Sequence, residues 1–434
     1  MPTTLTSDRN VSLLRRWVLL SFVYFIIAGC MGAFLRLQLF HPVASINYKY
    51  FLHGHSHLAF LGWVFNALFV ALLYAYLPTQ VKRYQLLFSL LQVSVVGMLI
   101  SFPLQGYATI SITFSTLHIF LSYAFAYRFL RDVRREAFVQ EKHTLSIAFV
   151  KWSLFFMVLS SVGPFALGAI MAKGLAGTSL YQLAIYFYLH FQYDGWFSFA
   201  VFGLFFWIFE THQIPISPKA GQYFLLSMAI SCMPAYALST LWTHPPVWVY
   251  VVAALSALVQ LIALFFLIRL LYISRMDLKK LFEKRVFHLL LFAGMAFTIK
   301  TFLQLFASFP AIADMAFLIR NFTIGYLHLI FLGFITVFLI GWFAAQKFLQ
   351  LNNTLAIWGI RLLLVGFTGS ELYIFLQPLF FTSGWGAIPL YDPVLFIFSV
   401  LMPIGTILLI WQSYRNSTCY QTDTESVRHS VNNL

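Results

Sequence analysis

Long apolar runs alternate with short polar segments along almost the whole chain. A transmembrane helix needs about 20 mostly apolar residues, and about twelve runs meet that length. The pattern therefore predicts an all-α membrane protein. Its predicted spans are 12–36, 50–76, 84–105, 107–130, 146–172, 181–209, 220–241, 246–273, 286–308, 315–346, 354–380 and 391–414. Residues 1–415 form one polytopic membrane domain in this interpretation, and the polar residues 416–434 are expected to be a disordered cytoplasmic tail.

Lysine and arginine are concentrated in alternate connections between the predicted spans. If the N-terminus is cytoplasmic, the segments around 128–142 and 269–285 lie inside and carry many of the basic residues. The outer segments hold few. These are Arg36, Lys49, Lys173 and Arg320. Because cytoplasmic loops carry the excess of Lys and Arg, the pattern predicts a multi-pass protein with both termini in the cytoplasm. The first apolar run is expected to be a retained helix rather than a cleaved signal.

The composition supports a membrane protein and argues against a nucleic-acid-binding protein. The chain is 61% hydrophobic and only 9% charged, with a net charge of +14. The basic residues follow the membrane topology, so they are expected to meet the lipid bilayer and not nucleic acid. Three cysteines give no disulfide framework, and no nucleotide-binding or serine-nucleophile motif is present.

Three histidines open the second predicted span at alternating positions, His53, His55 and His57. Ionisable groups at membrane depth are usually functional, and imidazole is a common ligand of haem iron and copper. Residues four apart share a helix face, whereas His55 points to the other side. The three histidines could therefore supply ligands to two metal centres on opposite sides of the helix, or to one metal centre with one histidine in a structural role.

Other scarce polar residues are predicted to lie at the same depth. His57, His190 and His328 each lie eight residues below a polar residue at the outer end of their spans, or about 12 Å. Asp194, Lys300 and Glu371 fall at similar depth, where a carboxylate could pair with the ammonium. These residues and Tyr193 could form a proton route, a shell around a metal, or a structural ion pair. For His190, a metal ligand and an ordinary buried polar cluster are both open.

The segment His-Ser-His-Leu-Ala-Phe-Leu-Gly at 55–62 resembles the second helix of NnrS-type proteins. These belong to the haem–copper oxidase and nitric-oxide reductase subunit I superfamily. The resemblance implies a bundle like that of oxidase subunit I. It also implies that His57 or His55 binds b-type haem together with His328, while His190 is a candidate for a second metal. His53, nearer the surface, is a further candidate metal ligand. A standard oxygen-reducing binuclear site, as the resemblance implies it, includes a histidine pair in the seventh span, and the span 220–241 has no histidine.

The leading hypothesis is a haem-binding protein of the bacterial inner membrane that transfers electrons or handles nitric oxide or oxygen. A second haem or a copper ion is left open, as is turnover as an oxidoreductase. Its expected partners are an electron donor (a cytochrome or a quinol) and respiratory subunits. The competing hypotheses are a proton-coupled secondary transporter and a non-catalytic partner or assembly factor of a respiratory complex.

Overall fold

The computed structural model describes residues 8–431, and all regular structure within that range is helical. Eleven helices of this part of the chain are long and apolar enough to cross a membrane, which confirms the prediction of an all-α membrane protein. The long helices are α1 Asp8–Leu37, α2 Tyr48–Tyr76, α3 Val81–Gln105, α4 Thr109–Arg135, α5 Thr144–Ala172, α6 179–211, α7 Pro218–Thr243, α8 Val247–Ile273, α9 Lys284–Phe306, α10 Arg320–Ala345, α11 Thr354–Thr382 and α12 Tyr391–Val431.

Each predicted span coincides with one of these helices to within about five residues, except at the C-terminal end of α12. Twelve spans are predicted, whereas eleven helices are long and apolar enough to cross a membrane. The remaining one, α6, is a continuous helix that is less apolar than these eleven. Its middle carries buried Gln192 and Asp194, and such side chains lower its mean hydropathy. Helix α12 is described to Val431, so it includes much of the segment expected to be a tail. Disorder over 416–434 stays a prediction, and 432–434 lie outside the described residues.

Three helices, α2, α6 and α10, form the centre of the bundle. In α2 and α10, 89% and 83% of the spanning segment is buried, against 50% or less in the other nine apolar helices. Helix α6 is buried continuously over 190–209. Around them, α12 packs against both α1 and α11, α4 packs against α5, and α8 packs against α9. Each central helix is therefore the second of four consecutive helices, and the remaining helices form an outer layer.

The three central helices share one local departure from α-helical geometry. In each, a histidine is followed immediately by a π-helical segment. These segments are Leu58–Phe65 after His57, Phe191–Phe197 after His190 and Leu329–Thr336 after His328. π-Helical turns are rare and are found frequently at functional sites. The bundle thus presents three comparable positions where a histidine precedes a widened turn.

A glycine lies five residues after each of these histidines, at Gly62, Gly195 and Gly333. A Cβ at Gly195 would lie 2.5 Å from Phe156 of α5, and one at Gly333 would lie 2.6 Å from Phe367 of α11. A larger residue at either position would therefore force the facing phenylalanine to move.

Residues at matching positions of the three central helices contact one another in the middle of the bundle. Phe60, Tyr193 and Phe331 each follow their histidine by three residues. The rings of Phe60 and Phe331 stack with centroids 4.1 Å apart, and the Tyr193 and Phe331 centroids are 6.3 Å apart. These contacts are the ones expected if His57, His190 and His328 share one level, which stays a prediction.

Candidate functional site

A cavity lies between α1, α2, α10 and α12, and histidines from two central helices line it. His55 comes from α2 and His328 from α10, which faces α2 across the cavity. The walls are otherwise mainly aromatic and small apolar side chains. They include Phe25, Ala28, Gly29, Gly32, Phe60, Trp63, Phe331, Met402 and Pro403. The site thus combines two imidazoles with an apolar enclosure.

The ring of His55 is oriented from its Nδ1 side. Nδ1 lies 2.9 Å from the carbonyl oxygen of Ala28 in α1, so Nδ1–H donates to that oxygen. This fixes the tautomer in which Nε2 carries the lone pair that a metal needs. Gly32 makes room for the ring, because a Cβ there would lie 3.0 Å from Cε1 of His55.

His328 faces a buried carboxyl group on α11. Its Nδ1 lies 3.6 Å from Oε1 of Glu371, a residue only 7% exposed. In the part of the chain that the structure describes, neither carboxyl oxygen of Glu371 has a hydrogen-bond partner, and neither does Nδ1 of His328. Metal-binding histidines commonly donate their other N–H to a carboxylate. A small movement would complete that arrangement here.

Two arginines lie at one end of the cavity. Arg36 is near the end of α1, and Arg320 is the first residue of α10. Guanidinium groups bind carboxylates through paired hydrogen bonds. The cavity therefore has a cationic end beyond the two histidines.

His53 and His57 lie on the other side of α2. The ring of His57 stacks on Phe102 of α3 with centroids 4.2 Å apart, and its Nε2 lies 3.0 Å from the hydroxyl oxygen of Tyr107. The His53 ring centroid is 4.6 Å from that of Tyr107. Burial raises the pKa of Tyr107, so its phenol stays neutral and satisfies His57.

The three histidine side chains therefore lie on two sides of α2, as the helical rotation per residue predicts. Of the two residues predicted to share haem with His328, the structure brings His55 to the cavity and directs His57 away from it. His53 lies on the same side of α2 as His57, and both rings face Tyr107.

His190 belongs to a separate buried cluster between α6, α7 and α9. Its Nε2 lies 2.8 Å from the carbonyl oxygen of Cys232, and its Nδ1 lies 3.2 Å from Oδ2 of Asp194. Lys300 Nζ lies 2.5 Å from Asp194 Oδ1, and the Gln304 amide donates to Oδ2 at 3.1 Å. The predicted pairing of Lys300 with a carboxylate is confirmed, with Asp194 as the partner.

The contacts of His190 favour the polar-cluster interpretation over a metal ligand, because both ring nitrogens already face protein oxygens. Among the side chains that the structure describes, no group of three or more His, Cys, Asp or Glu residues could hold a metal ion. The copper prediction for His53 and His190 therefore gains no geometric support. Tyr193 is buried, with its ring centroid 6.0 Å from that of Tyr326 of α10.

The sequence predictions assign no role in the site to the Ala28 carbonyl, Gly32, Arg36, Arg320 or Tyr107. One signal was available for the central helices: the spacing from histidine to glycine is identical in 57–62, 190–195 and 328–333. That repeat marks the three inner helices from sequence alone.

Comparison with protein-family models finds no match, and comparison with curated proteins finds none either. The resemblance to the haem–copper superfamily therefore stays a prediction.

Proposed function

We propose that this membrane protein binds one b-type haem between His55 and His328 and serves as an electron carrier. The observation that carries the proposal is the pairing of two imidazoles across one apolar cavity, each with Nδ1 directed at an oxygen acceptor. Bound haem supplies a one-electron redox couple, while the protein supplies the axial ligands and the surroundings.

The remaining cavity residues fit the same group. Arg36 and Arg320 would pair with the two propionate carboxylates, since they lie together at one end of the cavity. Phe25, Phe60 and Phe331 would face the porphyrin and exclude water. The cavity measures about 200 Å³, below the ~300–1,000 Å³ typical of cofactor pockets, so binding requires these side chains to move apart.

The two-histidine arrangement favours electron transfer over gas chemistry. If His55 and His328 both bind the iron, no coordination position remains for nitric oxide or oxygen. A cytochrome or a quinol is then the expected donor. We propose a bacterial inner membrane as its location, and the distribution of lysine and arginine supports a cytoplasmic position for both termini. The arrangement of three inner helices within an outer layer supports a bundle like that of oxidase subunit I.

A second candidate function is proton-coupled transport. The buried cluster of His190, Asp194 and Lys300 favours it, because intramembrane ionisable groups often mark proton or substrate pathways. This candidate predicts a colourless protein, whereas the haem proposal predicts a coloured one.

The visible absorption spectrum of the purified protein tests the proposal. We expect a Soret band and about one haem b per chain in a pyridine haemochrome assay, after expression with haem synthesis supplied. A pure, folded protein without haem under these conditions would contradict the proposal. Proton-driven uptake by that colourless protein would favour the second candidate.

A further inference from the structure

A second cleft opens between α8 and α9, away from the two-histidine cavity. It measures about 360 Å³ and reaches inward to Phe205 of α6 and Phe338 of α10. Its rim carries exposed apolar side chains, Ile268 of α8 and Leu291 of α9. The cleft therefore connects the lipid-facing surface with the central helices.

The interior of this cleft is suited to a hydrocarbon chain. Away from the mouth, the described residues that line the cleft include one polar side chain, Thr298. Its hydroxyl already donates a hydrogen bond to the Gly294 carbonyl oxygen at 2.9 Å. A Cβ at Gly294 would have no other atom within 4 Å, so this glycine lines open space that a larger side chain would fill. A polar ring buried here would find no free hydrogen-bond partner among these residues, which disfavours a quinol head group.

The mouth of the cleft is cationic. Arg275 follows the end of α8, and its guanidinium lies 4.0 Å over the ring of Tyr272, with Nη1 2.7 Å from the Tyr272 carbonyl oxygen. Lys279 and Lys280 follow in the same short helix, Arg275–Leu281, with Asp277 as its acidic residue. Arg275 is exposed, so it remains accessible to a phosphate.

We propose that an anionic phospholipid occupies this cleft, with an acyl chain inside and its phosphate at Arg275. The apolar interior and the basic mouth together match an amphipathic anion, and neither feature depends on haem. The bound lipid fills the gap between α8 and α9 and packs against the inner helices α6 and α10.

Native mass spectrometry of the full chain tests this inference. The protein would be released from bilayers that contain phosphatidylglycerol and phosphatidylcholine with identical acyl chains. We expect phosphatidylglycerol to be retained severalfold more than phosphatidylcholine. Gly294→Leu should displace the lipid by filling the cleft, and Arg275→Gln should remove the preference between head groups.

Matched controls separate the cleft from the general surface. Gly168 of α5 is also free of neighbours within 4 Å of a Cβ, so Gly168→Leu adds the same side chain elsewhere and should change nothing. Arg285→Gln removes another exposed basic residue, outside the cleft lining, and should leave the preference between head groups unchanged. Equal retention of both lipids, unchanged retention in Gly294→Leu, or displacement of phosphatidylglycerol by an added quinone would each overturn the inference.

Discussion

His55→Ala and His328→Ala are each expected to abolish most haem binding, whereas His57→Ala leaves it intact. Each of the first two removes one imidazole from the cavity, and an apolar cavity cannot hold the iron by contact alone. His57 lies on the opposite face of α2 against Phe102 and Tyr107. The Soret absorbance per protein after one purification protocol measures the difference.

Chemical rescue distinguishes loss of a ligand from loss of the fold. Imidazole added to His55→Ala should restore a low-spin spectrum, because the deleted side chain leaves room for it. His57→Ala is a demanding control, since it removes the ring that stacks on Phe102 without touching the cavity. Loss of haem in His57→Ala together with retention in His55→Ala would show that the wrong side of α2 has been assigned.

Lys300→Met is expected to lower the free energy of unfolding by about 3–5 kcal/mol, because it leaves the Asp194 carboxylate buried beside His190 without its ammonium partner. Both residues are almost fully buried, at 2% and 3% exposure. The double variant Lys300→Met/Asp194→Asn should recover much of the loss, since no buried charge is left unpaired. Reversible unfolding in mixed micelles measures these differences.

The control for this series is Lys219→Met at the start of α7, which removes an exposed lysine and should change stability little. If Lys300→Met were as stable as the wild type, the buried ion pair would have no structural role. That result would favour a role in proton transfer for the cluster of His190, Asp194 and Lys300.

The number and position of the helices could be predicted almost completely from the sequence. The bilayer imposes a length on each apolar run, and that length is visible without tertiary information. Helix α6 shows the limit of this approach, since its buried polar residues make it less apolar than its neighbours.

The faces of α2 could also be predicted, because the 100° rotation per residue separates His55 from His53 and His57. Which face meets α10 could not, since the rotation of a helix depends on packing against its neighbours. The same limit applies to Lys300: its depth suggested a carboxylate partner, but depth alone does not distinguish Asp194 from Glu371.

The π-helical segments were beyond prediction from residue preferences. The residues that form them, such as Leu58–Phe65, are ordinary apolar residues. What singles them out is the repeated spacing of histidine and glycine on three helices, together with the close contacts at Gly195 and Gly333. Such a repeat becomes informative only when the three helices are compared with one another.

Carbon monoxide binding to the reduced protein tests most directly whether His55 and His328 both bind one iron. With both imidazoles in place the iron has no open position, so we expect the spectrum of the wild type to stay unchanged under carbon monoxide. A shifted Soret band in the intact wild-type protein would mean that one of the two histidines is not a ligand, and would contradict the proposed site.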